Sequence, residues 1–242
     1  MLIVLPPSET KEPGGENDPM DVSFPALDPV RGRLMDELAS IPAEEQLAFL
    51  KISPRLIAQA EANLTLREAP TLASIYRYTG VLFDALDAGN LPDSALDRIL
   101  IGSALFGVTR ATDAIPAYRL SGNTTLPGKK TVRSFWGTAL TEVLNELPHF
   151  IVDMRSGAYR SLGPVKDPAV GVCTVRVETE QPGGTRKVVS HFNKHYKGLF
   201  ARAIALSDTV PSSPTEAVDI ARAAGYNVSL DDDTLIFRVP EN

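Results

Sequence analysis

The four residues Leu2 to Leu5 constrain the fold of this chain more than any others. They form an apolar, partly β-branched run with no polar face, closed by Pro6 and Pro7, which cannot continue a ladder of backbone hydrogen bonds. Such a strand needs cover on both faces, so it belongs inside a sheet flanked by helices, the arrangement of α/β proteins. One source of cover is evident. Phe135, Trp136, Ala139, Leu140, Val143, Leu144 and Leu147, counted from Val132, fall at i, i+3, i+4, i+7 spacing. This predicts one helix from about Lys130 to Leu147 with its Trp136 face against the sheet that contains Leu2 to Leu5.

The other elements support the same class. Residues from Pro29 to about Leu100 read mainly as helices, with Ser53-Pro54 as one start and Asp93 as a cap for a helix carrying Leu96, Ile99 and Leu100. In LASIYRYTGVLFDAL, Gly80 implies two short buried helices or one that is broken, with Tyr76, Tyr78 and Phe83 as core aromatics. Then the period changes. Phe150 to Asp153, Gly171 to Glu178 and Lys187 to Phe192 read as strands, the last two joined by QPGGTR into a hairpin. Ser213, Pro214 and Glu216 signal a capped final helix stopped at Gly225, Asp231 to Asp233 a solvated turn, and Thr234 to Val239 a last strand. The 242 residues are expected to form one compact α/β domain, 1–242, with a mixed sheet and surrounding helices.

Charge is distributed unevenly. From residue 110 to 133, Arg110, Arg119, Lys129, Lys130 and Arg133 face only one anion, Asp113, a net +4 in a chain of net −6. From 185 to 202, Arg186, Lys187, Lys194, Lys197 and Arg202 have no acidic neighbour in sequence, a net +5. Segregated positive charge on an acidic protein is the footprint of an anion site. The loop SETK after the first strand adds Ser8, Glu9, Thr10 and Lys11, because α/β proteins place ligands at strand ends. Asp113 is read as the partner that holds a cleft arginine, Arg110, in place, and Tyr118 or Tyr159 as donor of a hydrogen bond or proton.

Several chemistries are excluded. The chain has no GxxxxGK[ST], no GxGxxG after a strand, no paired-cysteine zinc pattern, no HExxH and no GxSxG. His191 and His195 lie four apart but span a strand end and a helix start, which does not suit shared metal ligation. Cys173, the single cysteine, sits in an apolar strand-like run and reads as a buried small hydrophobe. No apolar run approaches a membrane span and the N-terminus lacks the features of a signal peptide, so a cytoplasmic protein is expected.

The series MLIVLPPSETK, LFGVTRATDAIPAYRL, SFWG at Ser134, DMRSGAY ending at Tyr159 and FNKHYKG from Phe192 to Gly198 resembles, over essentially the whole chain, the peroxide stress protein YaaA family. The resemblance implies a cytoplasmic bacterial protein of the hydrogen peroxide response. It also implies a compact fold with a positively charged cleft and a helix-hairpin-helix-like element, and double-stranded DNA as a partner. Carried onto this chain, the cleft residues would be Arg110, Tyr118, Arg119, Lys194, Lys197 and Arg202, with Ser8 and Thr10 at the first strand's end. Glu9 stands where members often have lysine, the cation here being displaced to Lys11, and Gly102 and Gly107 do not reproduce the short hairpin motif.

Two functional classes follow. In one, the basic segments converge in a cleft that binds duplex DNA or another phosphate-bearing ligand; in the other, the same cleft is an enzyme pocket for a small anionic or nucleotide-like substrate. The expected binding set is Ser8, Thr10, Lys11, Arg110, Asp113, Tyr118, Arg119, Lys129, Arg133, Tyr159, Lys194, Lys197 and Arg202. No metal and no cofactor is expected, catalytic residues are not assignable from sequence, and the reading is of a monomer that does not engage a membrane.

Overall fold

The computed structural model of the protein describes residues 1–16, 18–180, 186–188 and 193–239. The first strand, Leu2–Leu5, is fully enclosed and lies near the middle of a mixed sheet. It pairs in parallel with Ile99–Ser103 on one side and Ile151–Asp153 on the other. Outward from the latter, Val172–Glu180 and then Thr234–Val239 continue in parallel. Antiparallel partners close both edges, Gly107–Arg110 against Ile99–Ser103 and Val228–Asp231 against Thr234–Val239. Arg186–Val188 pairs antiparallel with the far end of Val172–Glu180, consistent with the expected hairpin, although the turn residues 181–185 lie outside the described residues.

The strand order places the crevice. From Leu2–Leu5 the chain crosses to Ile99–Ser103, whereas from Ile151–Asp153 it crosses the other way to Val172–Glu180. Two adjacent parallel strands whose connections diverge leave a gap beyond their C-terminal ends, the topological switch point at which open α/β sheets bind ligands. Here that gap opens beyond Leu5 and Asp153.

The expected helix over 130–147 is two helices, Val132–Trp136 and Ala139–Asn145, separated at Gly137, whose φ of 53° is outside the helical region. The apolar period runs through this break because both pieces bury the same side, including Val132, Trp136, Leu140 and Leu144. Trp136 is buried, but its partner is the β-hairpin rather than the first strand itself. Its Nε1–H donates to the Ala104 carbonyl at 2.9 Å, and its ring lies so close to Gly107 (φ 74°) that a Cβ there would come within 2.8 Å. That segment, Ile99 to Arg110, is thus a β-hairpin, and the glycines 102 and 107 serve strands rather than a helix-hairpin-helix.

Other expectations are corrected or met locally. Asp93 does begin a helix, Asp93–Leu96, but Pro92 occupies the cap position, and Ile99 and Leu100 belong to the next strand. Gly80 separates Ser74–Arg77 from Val81–Leu86; Tyr78 and Phe83 are core residues and Tyr76 is exposed. The long helix Asn193–Leu206 packs on Val81–Leu86 at Gly198, where a Cβ would sit 2.3 Å from the Leu82 carbonyl oxygen. Ser213 caps the helix Pro214–Ala223 by accepting from the Glu216 N–H, while the Glu216 carboxylate returns to Ser212. Asp231 ends a strand and Asp232 turns the chain at φ 48°. Cys173 is buried, and burial pushes its thiol pKa up, as expected of a structural cysteine. Among the described residues no helix is long and apolar enough to cross a membrane.

Candidate anion site at the strand ends

Beyond the C-terminal ends of the first strand and of Ile151–Asp153, the chain forms an open-mouthed pocket of about 350 Å³. Pro6 and Pro7 supply one wall, Ser121 and Asn123 a second, Ser156, Ala158 and Tyr159 a third, and the start of the Asn193–Leu206 helix a fourth. That fourth wall brings Lys194 and Lys197 to the pocket together with the Asn193 side chain, whose Oδ1 is buried without a hydrogen-bond partner. The exposed Lys194 and buried Lys197 lie one turn apart on a helix whose first-turn amides also favour an anion. Glu9 completes the lining and is held by Arg119, whose guanidinium donates to the Glu9 carbonyl at 3.2 Å and pairs with its carboxylate at 3.2 Å.

Lys197 is held from beneath. Its Nζ donates to the Met154 carbonyl at 2.8 Å, and it is 7% exposed. Burial lowers its pKa to about 8, while Asp153 nearby opposes that shift. Asp153 is itself engaged by Arg155 through Nε at 2.9 Å and Nη2 at 2.8 Å, and Arg155 also donates to the Gly163 carbonyl. This enclosed pair fixes the strand end on which Lys197 rests.

On the other side of Glu9 lies a second pocket of about 480 Å³, lined by Glu9, Lys11, Gln59, Thr65 and Tyr118 among smaller apolar residues. Lys11 lies 4.1 Å from the centroid of the Tyr118 ring, donates to the Ser8 carbonyl at 3.2 Å, and has its pKa lowered to about 7 chiefly by burial. Tyr118 is buried, with its hydroxyl 2.9 Å from that of Tyr78 and 2.8 Å from Ser103 Oγ. Burial raises the pKa of Tyr118 well above its ordinary value and that of Tyr78 to about 12, so both stay protonated near neutrality. The Tyr118 hydroxyl is committed to this internal chain, which makes the residue a wall rather than a proton donor. Burial likewise raises the Tyr159 pKa.

The sequence-predicted residues therefore divide. Ser8 and Thr10 hydrogen-bond to each other at 3.0 Å and stand over Gly80, next to the site. Lys11, Tyr118, Arg119, Tyr159, Lys194 and Lys197 line or frame the two pockets. Arg110 does not join them. It pairs with Leu100 on the edge strand, toward the opposite end of the sheet from Ser103, and its guanidinium lies over the Phe24 ring. Asp113 accepts the backbone N–H of Arg110, not its guanidinium, and binds both N–H and Oγ of Ser23, so it fixes two loops. Lys129 and Arg133 are exposed away from these pockets, and Lys130 pairs with Glu37. Arg202 donates to the carbonyls of Leu86 and Asp87 and pairs with the Asp87 carboxylate, a cap on a helix end. His195 is in the first turn of its helix, whereas Arg186 and Lys187 side chains and His191 fall outside the described residues.

Sequence reasoning passed over Asn193, Ser121, Asn123 and Gln59, which are polar residues without charge or motif, and had no signal for the Glu9–Arg119 pair. It also passed over Arg77, Arg31 and Arg155, the buried arginines that build the frame. Arg77 donates to the carbonyls of Glu12, Gly14, Pro70 and Ile115, pinning the loop after the first strand.

Comparison with known proteins completes the description. A model described as peroxide stress protein YaaA matches residues 1–231. A UPF0246 protein of Corynebacterium glutamicum (strain R) is 50% identical over 235 residues, covering 94% of each chain. One from Streptomyces coelicolor is 37% identical over 241 residues, 94% of this chain and 92% of that one, and one from Shewanella pealeana is 28% identical over 255 residues. With the family model spanning nearly the whole fold and half of all positions shared with a full-length relative, the chain belongs to the peroxide stress protein YaaA family.

Proposed function

We propose that this protein acts in the bacterial, cytoplasmic response to hydrogen peroxide by binding a small phosphate-bearing ligand at the strand-end pocket. The observation that carries the reading is that Lys194 and Lys197 both line the strand-end pocket, while Arg119, from a segment some seventy residues away, stands behind its Glu9 wall as the partner of that carboxylate. A small pocket needs few cations, well placed, and suits a single phosphate group. A duplex would instead call for cations spread along a track. Arg110, Lys129, Arg133 and Arg202 supply no such continuation of the pocket, being paired or placed elsewhere. A nucleic-acid role therefore ranks second, and no helix-hairpin-helix is invoked for it.

The test is binding of pyrophosphate to the full chain and to Arg119→Ala, Lys194→Ala and the double variant, by calorimetry. Each single change should weaken binding by roughly 1 to 3 kcal/mol, as for a charge-assisted contact. The losses should couple when one phosphate bridges both residues. Wild-type affinity in both single variants, with the fold intact, would return these cations to ordinary surface. Duplex DNA that binds with a steep salt dependence while pyrophosphate fails to compete would favour the nucleic-acid reading.

A further inference from the structure

The second pocket carries an inference of its own. Its lining is mostly small and apolar, Pro13, Gly14, Ala58, Ala62 and Pro70 among them, and the narrow side chains leave room for a flat group, so we refer to it as a slot. Two acceptors in its lining lack an aligned donor. Gln59 Oε1 is buried with no hydrogen-bond partner, and Glu9 Oε2 faces Arg119 at 3.2 Å without the angle of a hydrogen bond. Lys11, also in the lining, has its Nζ against the Tyr118 ring. A buried acceptor left unmatched costs free energy that a ligand N–H can recover. A pocket with apolar walls, one unmatched amide acceptor, an ion-paired carboxylate and one amine donor therefore suits a planar heterocycle that carries N–H groups and ring nitrogens.

Glu9 lines both pockets, so the slot and the anion pocket meet at one residue. We infer that the slot receives the base of an amino-purine nucleotide whose phosphate occupies the neighbouring pocket, with the Glu9–Arg119 pair between base and phosphate. The phosphate half of this assignment rests on the function proposed above; the base half rests on the slot alone. The volume of the slot, about 480 Å³, lies within the range of small-ligand pockets.

The test compares AMP, inosine monophosphate, adenosine and ribose 5-phosphate binding to the full chain by calorimetry. AMP should bind most tightly, and inosine monophosphate, in which a carbonyl replaces the 6-amino group, roughly tenfold or more weaker because Gln59 Oε1 then faces an oxygen instead of that N–H, its remaining ring donor being N1–H. Ala58→Leu, an exposed position at the slot that should leave folding intact, and Gln59→Leu should both reduce AMP binding and leave ribose 5-phosphate binding unchanged. Equal affinity for AMP and ribose 5-phosphate, or no response of AMP binding to Ala58→Leu, would overturn the assignment of the slot. Adenosine that binds while ribose 5-phosphate and pyrophosphate do not would leave the slot standing and refute the phosphate pocket. Failure of all four ligands would refute both.

Discussion

Asp153 and Arg155 form an enclosed ion pair under the strand-end pocket, with side chains 3% and 1% exposed. Replacing Asp153 by alanine removes three acceptor contacts at once, to Arg155 Nε, Nη2 and the backbone N–H of Arg155, and leaves the guanidinium with only the Gly163 carbonyl. Breaking a buried pair in this way costs about 3 to 5 kcal/mol, because the remaining charge is desolvated without compensation. The full loss is expected here, as the Arg155 side chain packs against Gly102 and has no path to solvent. Urea unfolding should show a loss of about 4 kcal/mol with an unchanged slope. The double change Asp153→Ala with Arg155→Met removes the orphaned charge and should recover part of that loss. A loss below about 1 kcal/mol in the single variant, or a double variant no more stable than the single one, would refute the view that an enclosed charge pair supports this strand end.

Lys11 titrates near 7 in the folded chain, against its ordinary value of 10.5. Between those values the unfolded chain binds a proton that the folded one does not, so this group makes stability rise with pH from about 7 to 10.5, and Lys11→Met should flatten that rise in unfolding measured at pH 7 and 9. Gly198→Ala places a Cβ 2.3 Å from the Leu82 carbonyl oxygen and should destabilise the helix contact by about 1 to 3 kcal/mol in thermal or urea unfolding; an unchanged midpoint would refute the close approach. Lys197 loses its charge near pH 8, so binding of sulfate, whose own charge is constant there, should weaken as pH rises through 8, and Lys197→Met should bind sulfate weakly at every pH.

Much of the fold was legible because burial leaves a mark on sequence. Leu2 to Leu5 lacks a polar face because helices and neighbouring strands cover both sides, and that alone implies the class. Where two periods overlap, the reading failed. Leu96, Ile99 and Leu100 satisfy a helical spacing, yet Ile99 to Ile101 is a continuous apolar run of the kind found in a buried parallel strand. Gly137 breaks the Trp136 helix without disturbing its apolar period, so the break was invisible to pattern alone. Clustered charge pointed to Lys194 and Lys197, which line the strand-end pocket, and to Arg119, which pairs with the Glu9 in its wall. It equally pointed to Arg110 and Arg202, because net charge along a chain does not say at which end of a strand a side chain emerges. The partners of charged groups were the hidden part: Glu9 for Arg119, the Met154 carbonyl for Lys197 and Asp87 for Arg202 are set by the fold and not by spacing.

The most direct measurement is the map of backbone amide shifts in the isotope-labelled full chain as pyrophosphate is added. The largest changes should fall at Asn193 to Lys197, at Ser8 and Glu9 and at Ser121 to Asn123, the segments around the strand-end pocket. Arg110 to Asp113, Lys129 to Arg133 and the Arg202 turn should not respond. Shifts that spread over all the basic segments, or that avoid the pocket, would contradict a single anion site at the strand ends.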